Sequence, residues 1–303
     1  MCKKELARRW FLKGCRYDST GSERDKAIDA YRRSLKYDDE LTDAYVNLGF
    51  IYLAGTDYEK AAKCFQDVVG LEPKNPEAFN NLGYVYEEMK RLGCARQAYR
   101  QASGLDPKNV ETLLNLAKVY ELEGNYHDAV KQYKRAIKQD ADNIAPRFCL
   151  AVLYDNYDMF DEAMEEYQGV LDRDPDHIKG LLNMGNLYVQ LGNNERAIDL
   201  FKRVIALDPD NADACNQLGS VHKSDGNYAE ASASYKRVLS LDPFKEDAHM
   251  ELAEAQYLQY RSKFNGVKKE EVRQRIDYLL AINPDNGKGK QLLKELIEGD
   301  REI

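Results

Sequence analysis

No run of apolar residues in this 303-residue chain approaches the roughly 18 that a membrane-crossing helix needs. The opening residues, MCKKELARRWFLKGC, carry bases but no apolar core segment. They read as neither a secretory signal nor, at Cys2, a lipid-attachment site, so a cytoplasmic protein without direct membrane insertion is expected. The six cysteines, Cys2, Cys15, Cys64, Cys94, Cys149 and Cys215, include no C-x-x-C pair. Their scatter argues against a zinc site or a disulfide framework and for reduced thiols filling small core slots. The four histidines, His127, His177, His222 and His249, share no ligand spacing, so no metal and no cofactor are expected. Bases are outnumbered: 44 Lys and Arg stand against 52 Asp and Glu, a net charge of -8. That balance opposes binding to phosphate backbones, and no nucleic-acid partner is expected.

Catalytic signatures are missing as well. The chain holds no G-x-x-x-x-G-K-[ST] phosphate loop, G-x-S-x-G elbow, H-E-x-x-H helix or dinucleotide-binding glycine pattern. Carboxylates are abundant, and Glu87-Glu88 superficially suggests an acid–base pair. Nothing in the sequence sets the proton affinity of one apart from that of the other. No catalytic residues are expected, and the chain reads as a non-enzyme.

What the sequence has is a repeat. NLGFIYLAGTDYEKAAKCF at 47, NLGYVYEEMKRLGCARQAY at 81 and NLAKVYELEGNYHDAVKQY at 115 begin 34 residues apart. CLAVLYDNYDMFDEAMEEY at 149, NMGNLYVQLGNNERAIDLF at 183 and QLGSVHKSDGNYAEASASY at 217 keep the same frame. Each unit reads as two helices around a Gly- or Asn-containing turn. The first helix carries residues such as Leu48, Gly49 and Tyr52 on one face. The second carries Ala129, Tyr133 and Ala136, at i, i+4 and i+7. Asp-Pro steps at Asp106, Asp174, Asp208 and Asp242 close the units, since proline cannot continue a helix. Two slots stay small: Gly49, Gly83, Ala117, Ala151, Gly185 and Gly219 in one, and Ala61, Ala95, Ala129, Ala163, Ala197 and Ala231 in the other. Glycine in a helix interior costs about 1 kcal/mol, so its recurrence predicts close helix approach. Tyr52, Tyr86, Tyr120, Tyr154 and Tyr188 supply the larger packing surface beside it.

The 34-residue period, the N-L-G-x-x-Y segment, the recurrent Ala with an aromatic four residues later, and the terminal Pro resemble the tetratricopeptide repeat (TPR) family. The resemblance implies an all-α, right-handed superhelical solenoid of about eight hairpins with a C-terminal capping helix, forming a single solenoid over 1–303. A degenerate first repeat is expected over 8–41, with about one residue inserted in its turn. Six regular repeats follow over 42–245, starting at 42, 76, 110, 144, 178 and 212. Residues 246–286 form a degenerate repeat whose connection, YRSKFNGVKKEEV, is lengthened, and 287–303 form a capping helix and tail.

In this family the first helices line a concave binding face. The corresponding column here is Asn47, Asn81, Asn115, Cys149, Asn183, Gln217 and Glu251. It resembles the asparagine ladder in the repeat region of O-linked N-acetylglucosamine transferases, interrupted at Cys149 and Glu251. Amides both donate and accept, which suits them to an extended peptide backbone. Satisfaction of neighbouring backbone or helix packing is the other reading of the same residues. Phe50, Tyr84, Leu114, Phe148 and Leu182 add apolar surface. Glu77, Glu87, Glu88, Glu111 and Glu121, with Asp43, Asp155, Asp213, Asp247, Glu251 and Glu254, outnumber the three bases Lys118, Lys179 and Lys223 on that face. An acidic groove favours a neutral or basic peptide, extended or helical, from a protein partner. The alternatives are a self-assembling scaffold using its termini or concave face, and a chaperone adaptor or subunit of a larger complex. For the adaptor, Lys118 and Lys179 stand without the Asn and Arg companions of an acidic-tail clamp.

Overall fold

The computed structural model describes residues 2–19, 23–262 and 267–298. These form an all-α solenoid of about eight helical hairpins, with seventeen helices and no strand among the described residues. The expected inserted turn residue near 20–22, the middle of the lengthened connection at 263–266 and the tail beyond 298 lie outside them.

The chain divides into two compact units, Met1–Leu153 and Tyr154–Ile303. The first contains α1 (Lys3–Ser19), α2 (Arg24–Tyr37), α3 (Thr42–Ala54), α4 (Tyr58–Leu71), α5 (Pro76–Glu88), α6 (Leu92–Leu105), α7 (Val110–Leu122) and α8 (Tyr126–Gln139). It also holds most of α9 (Ile144–Asn156). Helices pack in sequential pairs, α1 on α2 through α7 on α8, and each pair packs on the next through α2–α3, α4–α5 and α6–α7. The second unit contains α10 (Phe160–Leu171), α11 (Ile178–Gln190), α12 (Asn194–Leu207), α13 (Ala212–Ser224), α14 (Tyr228–Leu241), α15 (Glu246–Arg261), α16 (Lys269–Ile282) and α17 (Gly287–Glu298). Here α17 packs against both α16 and α15.

The recurrent small residue and the recurrent aromatic turn out to be partners. A Cβ added at Gly14, Gly49, Gly83, Gly185 or Gly219 would lie 2.6–2.7 Å from the ring of Tyr31, Phe65, Tyr99, Phe201 or Tyr235 respectively. Each ring is fully buried. The second helix of a hairpin thus packs its aromatic closely onto the first helix where that helix has least side chain, which is why the slot stays small.

The turn inside each of the six regular hairpins is a left-handed helix cap. Thr56, Lys90, Gly124, Asp158, Gly192 and Gly226, 34 residues apart, all have positive φ, between 56° and 78°. The residue after each donates its N–H five residues back, as Asp57 does to Tyr52 O, Arg91 to Tyr86 O and Asn125 to Tyr120 O. Unpaired carbonyls at the helix end are satisfied that way. Asn75, Asn109, Asn125, Asn193 and Asn211 then cap the following helices through their side chains.

Of the cysteines, Cys64 and Cys215 are buried and Cys15 and Cys149 half-buried, but Cys2 and Cys94 are exposed. Those two do not fill core slots.

Candidate functional site

The ladder column and the buried aromatics belong to one network, because the residue sixteen positions after each aromatic is the ladder residue of the next repeat. In the first unit, Asn47 Nδ2 donates to the Tyr31 hydroxyl at 3.1 Å, and that hydroxyl lies 3.5 Å from Cys15 Sγ. The Tyr133 hydroxyl is hydrogen-bonded to both Glu121 and Cys149. In the second unit the Tyr167 hydroxyl lies between Asp155, 3.5 Å away, and Asn183. Tyr235 donates to Glu251 at 3.0 Å. Asn115 donates instead to Asn80 Oδ1 at 3.4 Å.

Where the aromatic is phenylalanine there is no hydroxyl to meet. Asn81 follows Phe65, and Gln217 follows Phe201. Both amides are half-buried. Gln217 faces a cavity of about 490 Å³ that is also lined by Ser220, Asp247, Met250 and Glu251.

A second correlation runs twelve residues back from Phe65, Tyr99, Tyr133, Tyr167 and Phe201, though not from Tyr31 or Tyr235, where Ser19 and Lys223 stand. Glu87 accepts from Tyr99 at 3.3 Å, Glu121 from Tyr133, and Asp155 from Tyr167. Twelve residues before Phe65 and Phe201 stand Leu53 and Val189, which pack into the same apolar clusters as those rings. Carboxylate pairs with hydroxyl and methyl with bare ring, as the cost of burying an unpartnered polar group requires. Burial drives the hydroxyls of Tyr99, Tyr133 and Tyr167 above their ordinary range, and the facing carboxylates add to the shift. Burial likewise raises the Glu121 and Asp155 carboxyls, against the hydrogen bonds they accept.

These contacts change what the acids on this face can do. Glu87 is 4% exposed and is neutralised by Lys118 Nζ at 2.6 Å. The Lys118 ammonium is held above its ordinary value by that hydrogen bond. Glu88 accepts from Tyr58 at 3.5 Å. In the second unit Lys223 binds Glu251 at 2.6 Å and Glu254 at 2.8 Å. Burial alone would lower the Lys223 ammonium; the two carboxylates outweigh it and hold the ammonium high. Asp43, Glu77 and Glu111 remain exposed.

The apolar residues divide too. Phe50 is 46% exposed and Tyr84 42%, with Phe50 set edge-on to Phe65 at 5.4 Å between ring centres. Leu114, Phe148 and Leu182 are half-buried, and Leu182 packs into the Phe201 cluster. In the first unit, then, the amide of Asn81 lies one turn before exposed Tyr84 on α5, and exposed Phe50 holds the position equivalent to Tyr84 on α3. Among the described residues no group of three or more His, Cys, Asp or Glu is placed to hold a metal ion. No described helix is long and apolar enough to cross a membrane.

Repeat period, hairpin pairing and the aromatic-on-glycine contact define a helical-repeat protein, and the chain belongs to the tetratricopeptide-repeat family. A TPR repeat model matches residues 51–90 and 185–226, and tetratricopeptide repeat models match 87–146, 122–184 and 212–245, an unbroken run from 51 to 245. Among solved structures it is similar to the C-terminal part of a TPR repeat-containing protein from Cytophaga hutchinsonii, at 16% identity and a TM-score of 0.71, covering 81% of this chain and 98% of that one. A tetratricopeptide repeat protein from Parabacteroides merdae is similar at 18% identity and a TM-score of 0.59, covering 84% and 98%. YrrB, described as a TPR protein with an unusual peptide-binding site, is similar at 21% identity and a TM-score of 0.51, covering 62% and 96%. At these identities the likeness is one of fold. No curated protein matches the sequence.

Proposed function

We propose that this chain is a non-catalytic scaffold that captures a peptide segment of a partner protein on its first-helix face, centred in the first unit on Asn81, Phe50 and Tyr84. The observation that carries the reading is the coincidence of an unengaged amide with two exposed aromatics on one face. A monomeric surface has little reason to expose them together unless they are used. YrrB, a protein of the same fold, is described as having a peptide-binding site.

In this reading the amide ladder is discontinuous. Asn47 and Asn183 hold tyrosine hydroxyls, Asn115 holds Asn80, and Asn81 and Gln217 keep both donor and acceptor for a ligand backbone. Phe50 and Tyr84 stand at equivalent positions of successive repeats, so they are separated by roughly the interaxial spacing of packed helices, about 10 Å. Apolar anchors in the partner would fall about three residues apart if it is extended, or about seven if it is helical. The exposed acids Asp43, Glu77 and Glu111 favour a neutral or basic segment over an acidic one. A chaperone-tail adaptor, which needs clustered bases, is disfavoured because Lys118 and Lys223 are tied to carboxylates.

The test is selection from a displayed library of random peptides, followed by titration of the best binders. Asn81→Ala and Tyr84→Ala should each weaken binding by about tenfold, the usual scale for a central interface residue. Asn47→Ala should leave affinity unchanged and lower stability instead. Equal affinity of wild type and Asn81→Ala would remove the site from this face.

A further inference from the structure

The overall negative charge conceals a segregation. Residues 1–37 hold eleven Lys and Arg against five Asp and Glu, a net of +6, which leaves -14 for residues 38–303. Within that basic hairpin, Leu6, Arg9, Trp10, Leu12, Lys13 and Arg16 line a depression of about 620 Å³ on the outer side of α1. The face is used by none of the packing described above: Ala7 and Gly14 are the buried residues of α1, whereas Leu12 is 53% exposed. Trp10, the only tryptophan, is flanked by Lys13 at 4.9 Å and Arg33 at 4.7 Å from its ring centre. Cations lying against an aromatic ring beside exposed leucines make a surface suited to an acidic helix with apolar side chains.

The chain contains such a helix. Residues 155–176 carry nine Asp and Glu and a single base, Arg173. On and just before α10, Asp158, Glu162 and Glu165 are exposed at i, i+4 and i+7, with Tyr157 48% exposed beside them. Arg9, Lys13 and Arg16 on α1 follow the same i, i+4, i+7 spacing. Arg9, Lys13 and Arg16 therefore span about 10 Å along one side of α1, and Glu162 and Glu165 share one side of α10, with Asp158 in the turn that precedes it. We propose that α1 of one copy docks on α10 of a second copy, with Arg9, Lys13 and Arg16 facing Asp158, Glu162 and Glu165, and with Trp10 and Leu12 against Tyr157. A single α1–α10 contact leaves one surface of each kind free on the pair, so the assembly either closes, at its smallest as a two-fold dimer with both contacts made, or grows as a larger ring or open filament. This contact is separate from the peptide face around Asn81, and either can fail without the other.

Sedimentation of the full chain over a range of concentrations tests it. The wild type should self-associate reversibly and dissociate as salt is raised, and the emission of Trp10 should shift to the blue on assembly. R9E/K13E/R16E and D158K/E162K/E165K should each be monomeric, with self-association weakened about tenfold or more. Mixed together, the two variants should co-assemble at a one-to-one ratio, because the reversed α1 of the first fits the reversed α10 of the second and the unaltered α1 of the second fits the unaltered α10 of the first. That rescue cannot come from misfolded protein. A wild type that stays monomeric throughout, or variants that fail to pair, would overturn the proposal. So would loss of binding to anionic vesicles in R9E/K13E/R16E without any change in self-association, which would assign α1 to a lipid surface.

Discussion

A single oxygen atom separates Tyr99 from the ring that Phe65 places at the same position of the preceding repeat, and its consequences reach both stability and binding. The Tyr99 hydroxyl, with Lys118, supports the buried carboxylate of Glu87. Tyr99→Phe should therefore cost about 1–2 kcal/mol in chemical denaturation, the usual penalty for withdrawing a partner from a buried charged group. Phe65→Tyr runs the experiment in reverse. The new hydroxyl would meet Leu53 on one side and Asn81 on the other. Asn81 should engage it as Asn47 engages Tyr31, with peptide affinity falling while the fold persists. Glu121 adds a pH dependence. Burial raises its carboxyl, so between the ordinary carboxylate range and that raised value the folded state binds more protons than the unfolded one. Stability from this group consequently declines as pH rises through that window. Glu121→Gln keeps an oxygen for Tyr133 and should gain stability at neutral pH, with the gain vanishing in acid. Thermal melts from acid to neutral pH would show it, and an unchanged profile would contradict it.

At the scale of the helix, repetition made most of the structure readable. Apolar period, small slot and Asp-Pro stop act locally and recur every 34 residues; α12 ends at Leu207, directly before Asp208-Pro209. The candidate site was less legible. The face of a helix can be read from its own sequence, but whether a carboxylate on that face is free depends on an oxygen delivered by the next helix. Glu87 and Glu121 therefore read as groove acids when they are partners of Tyr99 and Tyr133. The signal that finds them is internal to the chain: acid occurs twelve residues before Tyr99, Tyr133 and Tyr167, aliphatic before Phe65 and Phe201. Turn geometry was legible only in part. Gly124, Gly192 and Gly226 announce a left-handed cap, but Thr56, Lys90 and Asp158 adopt the same conformation without the residue that favours it. A left-handed φ costs a side-chain-bearing residue roughly 1–2 kcal/mol, most where the side chain is β-branched. Thr56→Gly and Lys90→Gly should each raise stability, by about 1 kcal/mol after the flexibility glycine adds to the unfolded chain is set against the relieved strain. Thr56→Gly should gain more. A loss at either position would mean that the side chain contributes more than its strain removes.

Across the molecule, each hairpin is stabilised by its immediate neighbours, so damage should stay near where it is made. The C-terminal helices of the second unit make this measurable. Leu292 and Leu296 of α17 close a cluster with Val272, Ile276 and Leu279 of α16 and Met250, Ala253 and Tyr257 of α15. Asn283 and Asn286, at the turn between α16 and α17, both donate to Glu246 at the start of α15, at 2.7 and 3.0 Å. Leu296→Ala removes a buried side chain from this cluster and should cost about 2–5 kcal/mol locally. Hydrogen exchange would then report α15, α16 and α17 opening together, because one apolar cluster and one pair of amide–carboxylate bonds join them. The amides of α3 to α8 belong to the first unit and should keep their protection. Uniform loss of protection from α3 to α17 would instead show that the chain unfolds as one cooperative body, and stability could then no longer be assigned hairpin by hairpin.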